Sequence, residues 1–291
     1  MRTFDTPEPI SVSLEVGVGT IRIAASDRTD TTVAVRPSDP GRKSDVAAAG
    51  QTRVEYTAGR LLIKAPKGWR KWTSRAGELI DVQIDLPAGS QVRGAAGVAS
   101  LECRGRLGEC SFQTGVGDIR LEDAGPVELK TGVGDIIVER AAGRAELTTG
   151  TGAVEIGSID GTAVVKNSNG DTRIGDVSGD LRVSSANGRI WIDRARATVV
   201  AKTAFGDVRL ESVARGAVRA ESGFGTVDVG VLDGVHAWLD LDTRFGNVQN
   251  DLDAAERPGP GEDVVEVRAR TSYGDITISR SLARVTGKDE S

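Results

Sequence analysis

Residues 114–140 read TGVGDIRLEDAGPVELKTGVGDIIVER, and the segment TGVGDI in this stretch begins at 114 and again at 131. Related segments continue along the chain, each with a small residue, nearly always glycine, at its fourth position. These fourth positions are Ala99, Gly117, Gly134, Gly152, Gly170, Gly188, Gly206, Gly225, Gly246 and Gly274. From Ala99 to Gly225 they recur about every 18 residues, and a sustained period of this length indicates a repeat protein.

Each period contains two short strands. Apolar residues follow the glycine at the second and fourth positions, as in Ile119 and Leu121, and a second alternating pair follows the next turn, as in Val127 and Leu129. A spacing of two places both members of a pair on one face of a strand. Such a small unit cannot bury its own apolar face, so successive units must stack. The sequence therefore predicts an all-β fold, a single-stranded parallel β-solenoid with coils of about 18 residues, which we expect to be right-handed.

The regularity of the period divides the chain into three regions. Residues 1–95 are interpreted as irregular coils that cap the solenoid and carry two loop insertions, at 36–52 and 65–79. Residues 96–280 are the regular solenoid, with a further turn-rich insertion at 253–263. Residues 281–291 are polar and are predicted to be a flexible tail.

The composition excludes several classes of function. The chain carries 37 basic and 42 acidic residues, a net charge of −5, so nucleic acid is not an expected partner. One histidine and two cysteines supply too few ligands for a transition-metal site, and we expect neither metal nor cofactor. We recognise no transmembrane segment and no secretory leader in the sequence. With so few cysteines, we expect a cytoplasmic protein.

Over residues 10–280 the tandem TGVGDI-like units, preceded by VQIDLPAGS at Val82–Ser90, resemble a bacterial family of β-strand-repeat proteins. The family has no established function, its members are termed putative adhesins, and the composition resembles its actinobacterial branch. The resemblance implies a single-stranded β-helix, and it supplies no catalytic residues.

Residues one coil apart lie about 4.8 Å from each other in a solenoid, so equivalent positions form columns along it. The position before the glycine is aromatic in four coils, and we name these four residues the aromatic column: Phe205, Phe224, Phe245 and Tyr273. Stacked rings that fill the interior are the preferred interpretation, and an exposed platform for carbohydrate is the alternative. Asn169 and Asn187 hold the same position in two earlier coils and predict a short amide ladder.

Three further columns carry polar or charged residues. Threonine, serine or asparagine stands three residues before the glycine, where such side chains satisfy backbone groups of the corner. The position after the glycine is often aspartate, and the order Asp171, Arg189, Asp207 predicts a ladder of ion pairs, with a calcium loop as the less favoured alternative. Two positions further on, Trp191 stands between two arginines, which predicts an outward cation–π sandwich.

The segment KAPKGWRKWTSR at 64–75 is rich in basic residues and tryptophan and contains no acid. Its candidate binding residues are Lys67, Trp69, Arg70, Lys71 and Trp72. Basic residues interleaved with tryptophan suit an anionic surface or an acidic partner. The alternative is that the two tryptophans fold back and cover the apolar end of the solenoid.

No nucleophile–base pair is recognisable, so we predict a non-catalytic, adhesin-like solenoid that acts as a scaffold or interaction module. The expected partners are a protein or an anionic surface bound through the tryptophan-rich segment, and self-association is a further mode. One alternative is a carbohydrate-active β-helix enzyme, which requires carboxylates clustered in a groove with raised pKa values. Another is a structural protein that polymerises end to end.

Overall fold

The structure is a computed structural model, and it describes residues 1–66, 78–252 and 264–281. The chain is an all-β parallel solenoid, as the sequence predicts. It divides into two compact units, Met1–Asp160 and Gly161–Ser291, which are described separately.

The first unit contains thirteen described strands and one described helix. They are β1 (Arg2–Asp5), β2 (Ser11–Ser26), β3 (Asp30–Pro37), α1 (Lys43–Gln51), β4 (Arg53–Thr57), β5 (Arg60–Lys64), β6 (Leu79–Pro87), β7 (Gln91–Arg106), β8 (Cys110–Val116), β9 (Ile119–Ala124), β10 (Val127–Val133), β11 (Ile136–Ala141), β12 (Ala145–Thr151) and β13 (Val154–Ile159).

The second unit contains twelve described strands. They are β14 (Ala163–Asn169), β15 (Thr172–Val177), β16 (Leu181–Asn187), β17 (Ile190–Ala195), β18 (Val199–Phe205), β19 (Val208–Val213), β20 (Gly216–Phe224), β21 (Val227–Leu232), β22 (His236–Phe245), β23 (Val248–Asn250), β24 (Val264–Tyr273) and β25 (Ile276–Ser281).

A regular coil consists of two strands joined at the glycine corner, and each strand pairs in parallel with its equivalent one coil away. In the first unit Leu129 of β10 lies beside Leu147 of β12, and Ile136 of β11 lies beside Val154 of β13. All four side chains are buried, because the alternating apolar residues of both strands point inward. Small aliphatic side chains fill this narrow core, which explains why the chain contains so few aromatic residues.

The corner glycines are required by close backbone packing. Gly188 has a φ of +139°, a conformation that L side chains rarely adopt, and a Cβ on it would lie 2.1 Å from the carbonyl oxygen of Gly170. Gly134 stands in the same relation to Gly117, with a φ of +146° and a contact of 2.2 Å. The repeat therefore keeps glycine because each corner lies directly against the corner of the previous coil.

The coils of the first unit are not stacked in sequence order at its N-terminal end. Strand β2 lies between β7 on one side and β5 and β6 on the other, so the outermost coil is formed by β5 and β6. The chain skips one coil position between β6 and β7, and the earlier strand β2 occupies the gap. Local periodicity does not reveal this exchange, because all three coils carry the same apolar pattern.

Antiparallel strands cover the outer edge of that coil. Strand β4 pairs with β5, while β3 pairs with β6 and β1 pairs with β3. The rings of Phe4 and Tyr56 lie 5.3 Å apart and join β1 to β4. The first predicted insertion contains helix α1 instead of being a loop throughout, since its alanine-rich sequence favours helix and its buried Asp45 accepts a hydrogen bond from the Leu79 backbone N–H.

The second unit shows the same exchange at its C-terminal end. Strand β24 pairs with β20 and β22, and β25 pairs with β21 and β23. The last coil in the sequence therefore lies second from the end, and the coil of β22 and β23 is the outermost one described. The long interval before Gly274 arises because the chain turns back to fill a position that it has skipped.

Replacing Gly188 by alanine tests the corner packing. We expect Gly188→Ala to reduce the free energy of unfolding by about 3 kcal/mol, because the substitution adds a backbone clash to an unfavourable φ. Gly234→Ala is the control, since Gly234 also has a positive φ, +79°, but nothing within 4 Å of its ideal Cβ. Chemical denaturation of both variants measures the difference, and equal losses would contradict the close-approach argument.

Candidate interaction surface

The aromatic column lies on the surface of the second unit. Its order in space is Phe205, Phe224, Tyr273, Phe245, with ring centroids 4.9, 4.7 and 4.8 Å apart and interplanar angles of 5°, 2° and 11°. The residues are 53%, 47%, 47% and 56% exposed, respectively. The prediction that these rings fill the interior is therefore wrong, although the predicted stacking is present.

The corner explains why the rings point outward. In β18 the alternation of buried and exposed residues ends at the buried Thr203, and both Ala204 and Phe205 are exposed. The buried threonine hydroxyl donates to the carbonyl oxygen of Gly188, 3.2 Å away. Because the chain bends between this threonine and the next glycine, the residue before the glycine leaves the inward-facing row.

The predicted role of the column three residues before the glycine is confirmed. Thr131 in the first unit, and Ser222, Thr243 and Thr271 in the second, each donate a hydroxyl hydrogen bond to the carbonyl oxygen of a corner glycine in the adjacent coil. These bonds satisfy corner oxygens that the strand ladder does not use.

The position before the glycine is exposed in earlier coils as well. The side-chain amide of Asn187 donates to Asn169 Oδ1 at 2.8 Å, which confirms the predicted amide ladder, and Asn187 is also the register partner of Phe205. In the first unit the same position holds the exposed Val116 and Val133. This column is thus a surface feature whose chemistry changes along the chain.

Phe224 and Tyr273 have both ring faces covered by neighbouring rings, whereas Phe205 and Phe245 at the ends of the column each have one face covered by a ring. Sugar rings stack on aromatic faces, so the covered faces within the column are not available for stacking on carbohydrate. Beside Phe205, Phe224 and Tyr273 stand the small residues Ala204, Gly223 and Ser272, which form a low strip, whereas Arg244 holds this position beside Phe245. The surface is therefore suited to a flat or extended apolar partner.

The aspartates after the glycine hold adjacent coils together. Asp135 Oδ1 accepts the backbone N–H of Ala153 at 2.8 Å, and Asp207 Oδ1 accepts that of Thr226 at 2.8 Å. Asp171 accepts both the backbone N–H and the guanidinium of Arg189, each at 2.9 Å, which confirms the predicted ion pair. Backbone amides therefore occupy oxygens that a calcium loop requires. Over residues 1–66, 78–252 and 264–281, no cluster of three metal-ligating side chains is present.

Trp191 lies between Arg173 and Arg209, whose guanidinium carbons are 5.2 and 4.9 Å from the centre of its ring system. This confirms the predicted cation–π sandwich. The two arginines cover both ring faces, so neither face of this tryptophan is available for stacking on a ligand.

The five candidate binding residues Lys67, Trp69, Arg70, Lys71 and Trp72 lie outside the described residues. The described chain flanking them ends at Pro66, after β5, and resumes at Glu78, before β6. Whether this segment binds a partner or covers the core stays a prediction.

The described carboxyls that line a cavity in the first unit already have hydrogen-bond partners. A cavity of about 240 Å³ in the first unit is lined by Asp85 and Glu102 among other residues. Asp85 accepts the hydroxyl of Thr32 at 2.7 Å, and Glu102 accepts the guanidinium of Arg104 at 2.9 Å. Desolvation raises the pKa of Asp228 in the second unit.

Both cysteines are buried free thiols in the core of the first unit. Burial raises the pKa of Cys110 to about 12 and also raises that of Cys103. These thiols therefore remain protonated and are poor nucleophiles at neutral pH.

The match to a family model extends over residues 10–279, and that model describes the Toastrack DUF4097 family. The chain belongs to this family. Toastrack DUF4097 has no assigned function, which agrees with the resemblance noted from the tandem TGVGDI-like units. No helix in the described part of this Toastrack chain is long and apolar enough to cross a membrane.

Several solved structures are similar to this Toastrack chain at low sequence identity. A putative cell adhesion protein from Clostridium sporogenes is 13% identical, with a TM-score of 0.24 over 96% of this chain and 98% of that chain. A putative adhesin from Bacteroides fragilis is 16% identical, with a TM-score of 0.35 over 95% of each chain. A putative lipid binding protein from Parabacteroides distasonis is 12% identical, with a TM-score of 0.30 over 96% of this chain and 95% of that chain. No curated protein matches significantly.

The hydrogen bonds of Asp171 predict a pH dependence. The Arg189 backbone N–H, together with the guanidinium of Arg189, lowers the pKa of Asp171. Folding therefore gains stability from this carboxylate above about pH 4, and the gain is lost as the pH falls through the lowered pKa. Asp171→Asn keeps an oxygen acceptor but loses the charge, so its melting temperature should lie below that of the wild type at pH 6, and the difference should shrink as the pH falls below 4 towards 2.5. An equal difference at both pH values would contradict this assignment, and the exposed Asp27→Asn is the control.

Proposed function

We propose that this Toastrack protein is a non-catalytic scaffold that binds a protein partner through the aromatic column. The observation that carries the proposal is that four stacked rings are about half exposed, although the same column holds the smaller Val116 and Val133 in the first unit. Contiguous apolar surface that remains exposed in a soluble fold is characteristic of interaction sites.

The geometry of the column supports a protein partner. Aromatic side chains contribute strongly to protein interfaces because they bury a large area at a small cost in conformational entropy. The parallel stack holds Phe224 and Tyr273 between neighbouring rings, so little of their side-chain freedom is lost on binding. The low strip at Ala204, Gly223 and Ser272 allows a partner's backbone to approach the ring edges.

The state of the acidic groups supports a non-catalytic role. Asp135, Asp171 and Asp207 are engaged by backbone N–H groups, and Glu221, beside Lys202 and Arg219, has a lowered pKa. A general acid needs a raised pKa, and a catalytic pair needs two carboxyls in one groove. The carbohydrate-active alternative therefore depends on Asp228, whose neighbouring carboxyl Asp207 is held by the backbone N–H of Thr226.

Two further expectations belong to this proposal. The tryptophan-rich segment with Lys67, Trp69, Arg70, Lys71 and Trp72 is a second contact, supported by its charge and composition alone. A cytoplasmic location is supported by the two buried, unpaired thiols, which are compatible with a reducing compartment.

Replacing three rings by asparagine tests the proposed surface. Asparagine is the natural residue of this column at Asn169 and Asn187, so Phe205→Asn/Phe224→Asn/Tyr273→Asn keeps the local backbone chemistry. We expect the triple variant to lose the partner that the wild type retains in affinity capture from a native lysate. Loss of ring–ring contacts should cost about 1 kcal/mol for each pair, so the variant should remain folded.

The matched control is Val116→Asn/Val133→Asn, which changes the same column in the first unit, where the residues are aliphatic. This control should retain the captured partner. Undiminished capture by the folded triple variant would show that the aromatic column is not the contact, and glycan cleavage by the purified wild type would favour the enzyme alternative.

A further inference from the structure

The outermost coil of the second unit, β22 and β23, presents open strand edges. Within residues 161–252 and 264–281, β22 pairs with β24 and β23 pairs with β25, and no described strand lies on the other side of either. The outer edge of β22 therefore offers backbone N–H and C=O groups to a further strand.

Side chains of this coil that should be buried are partly exposed. Leu239 and Leu241 are only half-buried, whereas their register partners Val267 and Ala269 in the adjacent coil are fully buried. Val248 is 46% exposed, whereas its partner Ile276 is buried. The apolar interior is thus open at this end of the unit.

The aromatic column ends at the same coil. Phe245 stacks on Tyr273 at 4.8 Å and has no described ring on its other face. In the same strand, Trp238 is 64% exposed. Open strand edges, an open core and a free ring face therefore coincide in residues 236–250.

The N-terminal end of the first unit is different, because antiparallel strands already cover the strands of its outermost coil. Head-to-tail polymerisation needs a complementary open edge at both ends. An association that joins the β22 edge of one copy to the β22 edge of another closes after two copies, with the same surface on each.

We propose that residues 236–250 bind the same coil of a second copy of this chain, with the two β22 strands paired antiparallel. Charge complementarity supports a two-fold register centred on Thr243. In this register Asp242 of each copy lies opposite Arg244 of the other. This opposite-charge pair forms twice, once on each side of the two-fold axis, as a two-fold interface requires.

Charge reversal in the full chain tests this register by sedimentation equilibrium. The wild type should dimerise reversibly. Asp242→Arg and Arg244→Asp should each raise the dimer dissociation constant about tenfold or more, because each places like charges opposite each other twice. An equimolar mixture of the two variants should associate as strongly as the wild type, since each of its pairs is again Asp with Arg.

Arg182→Asp is the matched control, because it reverses an exposed charge on β16, which is paired on both sides. This variant should dimerise like the wild type. A wild-type chain that stays monomeric overturns the proposal and leaves a strand of another protein, or residues 282–291 of this chain, as the occupant. A dimer that neither charge reversal weakens also overturns it. Phe245 is retained in the aromatic-column triple variant, so failure of this proposal is distinguishable from failure of the proposed function.

Discussion

The close approach of each corner glycine to the corner of the preceding coil is the constraint on which the structure depends. At Gly188 and Gly206 an ideal Cβ would lie 2.1 and 2.3 Å from the carbonyl oxygen of the previous corner glycine. Parallel pairing at about 4.8 Å between coils is possible only if nothing separates these corners. The hydrogen bonds between aspartate carboxylates and backbone N–H groups follow from this packing, as do those from threonine hydroxyls to glycine carbonyl oxygens. Both use backbone groups that the stacked corners bring close to the side chains of the adjacent coil.

The same constraint creates the exposed aromatic column. A side chain directly before the glycine cannot turn into the corner, so it points outward, and the stacking distance between coils is also a good separation for parallel rings. The ring centroids of Phe224 and Tyr273 are 4.7 Å apart because the strands that carry them are neighbours in register. An exposed apolar surface thus arises where the repeat requires exposure, and its chemistry can vary between coils without disturbing the core.

Much of this was predictable from the sequence, because glycine spacing and apolar alternation are local signals. They predict the strands, the pairing of Ile136 with Val154, the amide ladder and the sandwich of Trp191. The outward direction of Phe205 was not predicted. Regular strand alternation from the inward Thr203 would point Phe205 inward as well, but the chain bends between these two residues.

The exchanged order of coils at both ends was also not predicted. The apolar patterns of β22 and β24 are interchangeable, so strand order depends on how the chain between them returns, and periodicity contains no information about that path. The open coil at 236–250 follows from this exchange and could not be located without the structure.

Disulfide formation between equivalent positions one coil apart tests the stacking most directly. Lys166 and Ser184 are exposed register partners in β14 and β16, so Lys166→Cys/Ser184→Cys should form a disulfide readily under mild oxidation. The control is Lys166→Cys/Arg182→Cys. Residue 182 lies on the same face of β16 as residue 184 but two residues before it, so its Cα is about 8 Å from that of residue 166 and no disulfide should form. Mass spectrometry of the digested protein identifies the linked peptides. Cross-linking of the second pair but not the first would contradict the 18-residue parallel stacking.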